Sequence, residues 1–197
     1  RQMCIRDSQY TNSFLQSILD VMPNVTQTLL REHYRCHPKI INFCNQKFYG
    51  GKLIVMTEDH EEPDVLTMYR TAPGNHARGH LNQRQIDVIR QEVLPSLERQ
   101  GYGSIGIITP YRDQVAAIKM QLGKELEVAT VHKFQGREKD AIILTSVDNV
   151  ITDFVDDPRM LNVAVSRAVK SLAVITSQDP RNDRTNYGDL ARYIEYN

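Results

Sequence analysis

The sequence lacks a charge excess, a disulfide framework and any long apolar run. Lys and Arg number 24 and Asp and Glu also 24, so the formal charge is zero. A domain that holds nucleic acid unaided usually carries a basic excess, so contact of that kind must come here from a local patch or with help from a partner. The three cysteines, Cys4, Cys36 and Cys44, are too few and odd in number for a disulfide framework. A reducing, cytoplasmic setting is expected, or a nuclear one in a eukaryote. No stretch approaches the ~18 apolar residues of a membrane span, and a secretory leader is not expected. Internal repeats and low-complexity tracts are absent too. The chain starts at Arg1 and not at Met, and residues 1–10 show no periodicity. They read as unstructured or as a fragment edge, and the chain as part of something longer.

What is present is ordinary globular material. The 197 residues are 41% hydrophobic and 24% charged, enough for one domain with a single core. Phe14, Ile18, Leu19 and Met22 have helical spacing, with Ser13 as N-cap. Pro38 opens a second helix, "PKIINFCNQKFYGG", which paired glycines end. "DVLTMY" reads as a strand and "NHARGHLNQ" as a polar loop. A long helix follows to about Arg99, facing inward with Ile86, Ile89, Val93, Leu94 and Leu97, and kinked or shortened by Pro95. Strands and helices then alternate. "SIGIIT", "LEVATV", "AIILTSV" and "LAVITS" are strands, and "YRDQVAAIKMQL" and "PRMLNVAVSRAVK" are helices. That rhythm predicts an α/β fold, a parallel sheet with helices on both faces. Ligands of such sheets bind at the carboxyl ends of the strands.

One strand end carries an unusual load. After "ATV", His132, Lys133, Gln135, Arg137 and Glu138 surround Gly136. Glycine permits a sharp turn, and backbone N–H groups with a nearby Arg make an anion site. A carboxylate there suits a hydroxylated ligand such as a ribose. Taken alone, the stretch is a solvated turn. In "EHYRCHP", Tyr34 and Arg35 could hold a base and a phosphate. In "LNVAVSRA", Arg167 is the one cation of an otherwise small and apolar stretch; it needs an anion, a core carboxylate or a route to solvent.

Taken in order, "EHYRCHPKIINFCNQKFYGGKL", "IGIITPYRDQV", "ATVHKFQGREKDAIIL" and "RMLNVAVSRAVKSLAVI" resemble the motifs of the second RecA-like domain of superfamily 1 helicases. The branch is the one containing the nonsense-mediated-decay and Okazaki-processing helicases. Four motifs in the right order are specific where one would not be. The resemblance implies a RecA-like fold for residues 11–197 and a role as the second motor domain of an ATP-dependent helicase. It implies that Tyr34 stacks on adenine and that Arg35 contacts the terminal phosphates. Glu138 would bind the ribose, with Gly136 and Arg137 shaping the phosphate side. Arg167 would be the arginine finger, catalytic together with Arg35. Thr109, Pro110, Tyr111, Thr130 and His132 would follow a single strand of DNA or RNA without reading its sequence. The chain departs from the pattern at Met160, where members often carry a second basic residue, and at Val169, where many carry Lys or Arg.

No G-x-x-x-x-G-K-[ST] occurs, and "YGGKL" has neither the spacing nor the hydroxyl. No strand ends in paired acids; Asp156 and Asp157 follow no apolar run. The phosphate cradle and the Mg²⁺ ligands are therefore expected from a first RecA-like domain of the same polypeptide, with ATP between the two. This domain should present it an exposed docking face. The alternative is a non-catalytic nucleic-acid- or protein-binding module descended from a helicase half. A complete nuclease lacks its acid-x-Lys signature here. A zinc cluster of His33, Cys36, His37 and Cys44 is set aside because three of the four crowd into one turn, so no metal ligands are assigned.

Overall fold

The computed structural model describes residues 14–22, 24, 26, 28, 30–74, 77–177 and 179–197. The chain divides into two units, Arg1–Arg31 and Glu32–Asn197. In the first, helix α1 (Phe14–Val21) lies where the apolar spacing predicts it. The Ser13 cap and residues 1–10 fall outside the described residues.

The second unit runs, in chain order, through β1 (Glu32–His33), α2 (Pro38–Phe48), β2 (Ile54–Val55), β3 (Leu66–Arg70), β4 (Ala77–Arg78) and β5 (Leu81–Asn82). Then come α3 (Gln83–Val88), α4 (Leu94–Arg99), β6 (Ile105–Thr109), α5 (Arg112–Leu122), β7 (Glu127–Thr130) and α6 (Val131–Phe134). β8 (Lys139–Thr145), α7 (Pro158–Val165), β9 (Ala168–Thr176) and α8 (Asn186–Tyr196) complete it. Five strands form one parallel sheet in the order β3-β9-β8-β6-β7.

The unbroken apolar runs follow from burial on both faces. Along β6, β8 and β9, Ile108, Ile142, Leu144, Leu172 and Val174 join a core with Ile40, Phe43, Leu161, Val165 and Leu190 of α2, α7 and α8. Their neighbours Ile107, Ala141, Ile143, Ala173 and Ile175 join a second core with Ile86, Leu97 and Ile118 of α3, α4 and α5. Alternate residues of one strand thus serve opposite layers, as the pleat requires. The helix predicted to follow the polar loop as far as about Arg99 is present, starting at Gln83, with a π turn at Ile89–Val93 shortly before Pro95. Proline offers no N–H to the carbonyl four residues back and its ring crowds that carbonyl, and a widened turn relieves both. Among the described residues, no helix is long and apolar enough to cross a membrane.

Three local readings change. The helix predicted over 158–170 stops at Val165, and β9 already begins at Ala168. Lys139 N–H donates to the Arg167 carbonyl at 3.1 Å, so pairing with β8 captures the end of that stretch. The polar loop "NHARGHLNQ" contains the hairpin β4–β5, turned at Gly79 with φ +58°. The strand end after Thr130 coils directly into α6.

Candidate functional site

His33, Cys36 and Ser166 position the first arginine. His33 Nε2 accepts the Cys36 N–H at 2.9 Å, which folds residues 33–36 into a turn before α2. Burial, and then the charge of Arg35, lower the pKa of His33, favouring the neutral ring that this bond needs. The turn presents Arg35, whose Nη2 donates to the Ser166 carbonyl at 2.9 Å and whose Nη1 lies 3.3 Å from Glu138 Oε2. Its Nε is buried and has no hydrogen-bond partner among the described residues. Arg167 sits in the tight turn between α7 and β9. It donates from Nε to the Val163 carbonyl at 3.1 Å, from Nη2 to Ser166 Oγ at 3.2 Å and from Nη1 to the Arg137 carbonyl at 3.4 Å. Burial, followed by the charge of Arg35, lowers the Arg167 pKa. A guanidinium nonetheless stays charged. Two cations from separate loops are therefore held together, with Glu138 beside them.

The glycine turn supplies that carboxylate. Gly136 has φ +80°, where an L side chain is strained although a Cβ would meet open space. The Arg137 N–H closes the turn on the Phe134 carbonyl at 3.0 Å. Phe134 is fully buried, so α6 is anchored while its charged neighbours face outward. The Arg137 guanidinium turns away from the arginine pair and bonds Glu127 Oε1 at 2.6 Å, while Lys139 Nζ takes Glu127 Oε2 at 2.7 Å. Arg137 reaches the arginine pair through its carbonyl alone. Tyr34 is 66% exposed and donates its hydroxyl to Glu32, leaving a ring in solvent.

The residues expected along a strand lie at the carboxyl ends of β6 and β7. Thr109 pairs in register with Thr130. Thr109 is fully buried, and its Oγ1 has no partner among the described residues. Pro110 packs beside Val131, Leu144, Leu161 and Tyr187. Thr130 precedes α6 as its cap without a side-chain bond. His132 and Gln135 line an open groove of about 190 Å³ with Arg159, Met160 and Val163. Tyr111 is held by Asp148 Oδ2 at 2.7 Å, and burial, then this bond, push its pKa up to about 12. The structure thus gathers Arg35, Glu138 and Arg167 into one cluster and Thr109, Tyr111 and Thr130 onto one sheet end.

Several contributors escaped sequence reasoning. Ser166 touches both arginines. Asn82, Gln85 and Gln114 are buried and tie β5, α3 and α5 to the strand ends. Gln85 donates to Ser146 Oγ and Ser177 Oγ at 3.3 and 3.0 Å and accepts the Val147 N–H at 3.0 Å. Asn82 donates to the Val147 carbonyl at 2.7 Å. The two fix Val147 at φ +67°, a strained conformation for a β-branched residue. Asp157 caps α7, and Asp156 accepts the N–H groups of Asn186 and Tyr187 at the start of α8, so both acids are engaged structurally. His37, Asp59 and Glu62 come close enough to suggest a metal cluster. His37 Nδ1 already accepts the Lys39 N–H at 3.2 Å, which places the ring proton on Nε2, facing the two carboxylates. No lone pair is left there for a metal.

A family model described as "AAA domain" matches residues 10–179. A mouse 5'-3' DNA helicase, ZGRF1, is 28% identical over 210 residues, 96% of this chain and 11% of that protein. The regulator of nonsense transcripts 1 homolog of Neurospora crassa is 31% identical over 181 residues, 76% of this chain and 16% of that protein. Helicase sen1 of Schizosaccharomyces pombe is 31% identical over 193 residues, 82% of this chain and 11% of that protein. The chain therefore spans less than a fifth of each of these relatives. Its fold matches the C-terminal domain of a possible DNA helicase from Lactobacillus plantarum WCFS1, with TM-score 0.52 and 18% identity over 79% of this chain and 96% of that one.

Proposed function

We infer that this chain, which belongs to the AAA-domain family as a RecA-like domain of the superfamily 1 helicase type, is the second motor domain of an ATP-dependent helicase. It would supply half of an ATP site that closes against the first RecA-like domain. The observation that carries this reading is the pairing of Arg35 and Arg167 on Ser166, with a buried Arg35 Nε that has no partner among the described residues. An unsatisfied buried donor on a cation fits an anionic ligand. The like charges also disfavour one another, and a polyphosphate between them would relieve that repulsion.

The geometry supports one assignment of roles. Arg35 would take terminal phosphate oxygens through the partly exposed end of its guanidinium. Arg167 uses three of its five N–H donors on Val163, Arg137 and Ser166, so two remain for charge that develops on the transferring phosphoryl group. Glu138, half-exposed beside Arg35, would accept a ribose hydroxyl, and the exposed Tyr34 ring would stack on adenine. The P-loop and the Mg²⁺ ligands would come from the first domain, since among the described residues no strand ends in paired acids. Closure on ATP and release after hydrolysis would move the strand-end surface around Thr109, Tyr111 and Thr130 along single-stranded DNA or RNA. A binding module without catalysis would not need both arginines held this way.

The test is ATP turnover. Rigorously purified, this chain alone is expected to show none, and turnover is expected when the domain upstream in its own polypeptide is attached. Turnover by the chain alone would contradict the reading.

A further inference from the structure

We propose that His80, Tyr111 and Phe154 form a base-stacking platform for single-stranded nucleic acid. This rests on the helicase reading and deepens it, because it assigns the bases a seat that phosphate contacts do not provide. The three rings come from separate segments: the β4–β5 turn, the residue before α5, and the loop between β8 and α7. His80 and Tyr111 stack with centroids 4.2 Å apart and planes 25° from parallel. Tyr111 and Phe154 stack at 5.5 Å and 24°. Tyr111 thus stacks with both of the other rings. His80 is exposed and Phe154 is 50% exposed, so the column ends in open rings.

The column is a built arrangement. Tyr111 is pinned by Asp148, which also accepts the Thr152 hydroxyl at 3.2 Å. Asp148 follows the strained Val147, itself held by Asn82 and Gln85. Asn149 exchanges two hydrogen bonds with the backbone of Gly74, at 3.0 and 3.3 Å, and ties the loop of Phe154 to the segment that leads to His80. Rings ordered beforehand lose little freedom when a ligand arrives.

The chemistry selects a flat ligand. Nearly parallel rings with open outer faces offer π surface to another plate, and every nucleobase has such a face. An aliphatic protein surface would be met better by a pocket than by the end of a column. Arg112, next after Tyr111 and exposed, can take a phosphate of the same strand.

Fluorescence anisotropy on the full-length protein tests this with two probes, a labelled thymidine oligomer and one of equal length made of abasic sites. The wild type is expected to prefer the base-bearing strand by about fivefold or more. Phe154→Ala and His80→Ala are each expected to reduce that preference and leave abasic binding and its salt dependence unchanged, while Phe154→Tyr retains it. Equal binding of both probes by the wild type, or full preference in Phe154→Ala, would overturn the platform alone. So would an equal loss for both probes in Phe154→Ala, which would mark Phe154 as a structural or protein-docking residue. No binding of either probe would overturn the nucleic-acid reading and the platform with it.

Discussion

Arg35 and Arg167 are fastened to the same residue. Arg35 bonds the carbonyl of Ser166, and Arg167 bonds its hydroxyl. The turn that ends α7 therefore sets the spacing of two cations that the sequence separates widely. Their mutual repulsion is tolerated because Glu138 and several carbonyls surround them, and because a guanidinium is weakly hydrated and easily shared among acceptors. The same turn feeds β9, so the cation pair is referenced directly to the sheet.

The shared residue separates the two roles. Ser166→Ala deletes the hydroxyl but keeps the carbonyl, so it loosens Arg167 and leaves Arg35 in place. In the full-length protein, kcat is expected to fall by about fivefold to tenfold, the value of one hydrogen bond, with nucleotide affinity unchanged. Arg35→Ala should instead weaken binding of a fluorescent ATP analogue by about tenfold or more, as for loss of a charge-assisted contact. A Ser166→Ala effect confined to affinity would contradict this division.

Gln85 is expected to govern stability. It satisfies Val147, Ser146 and Ser177 at the strand ends, where water does not reach. Gln85→Leu leaves the buried Val147 N–H without its acceptor and removes the restraint on a strained residue. A loss of about 2–3 kcal/mol is expected in urea denaturation, with the m-value unchanged. A midpoint equal to that of the wild type would show that the network is dispensable.

Acid should act through Asp179. Arg181, and then its backbone N–H and the charge of Arg70, hold the Asp179 carboxyl down to about 2, from an ordinary value of 3.8. A lowered folded-state pKa contributes stability that is fully present above 3.8 and is lost as the pH falls through about 2. Asp179→Asn is expected to flatten this part of the acid limb in denaturation midpoints across that range and to leave the neutral region little altered. An unchanged limb would show that the ion pairs to Arg181 and Arg70 are inconsequential in solution.

Much of this structure was legible in the residues, and the rest was hidden for physical reasons. The apolar runs of β6, β8 and β9 disclose a covered parallel sheet, because burial on both faces erases alternation. Arg167 stood out because a lone cation among small apolar residues needs a partner. The end of α7 at Val165 could not be read, because it depends on pairing with Lys139, which is remote in sequence. The β4–β5 segment read as a polar loop, since Asn82 looks like a surface residue until the carbonyl of Val147 is seen above it. Gln85 and Gln114 are likewise polar by composition and buried by what they satisfy. Nothing local marks Val147 for a left-handed conformation, as a β-branched residue argues against one. The motif gives Arg137 to the phosphate side, and its bond to Glu127 of β7 is a contact that only the fold brings about.

The central claim is that Arg167 acts on the transferring phosphoryl group and not on ground-state binding. Single-turnover hydrolysis of ATP by the full-length protein carrying Arg167→Ala, measured beside its ATP affinity, addresses this directly. The expected result is a fall in rate of ~10³-fold or more with affinity largely retained. Hydrolysis at the wild-type rate, or a loss fully explained by weaker binding, would contradict it.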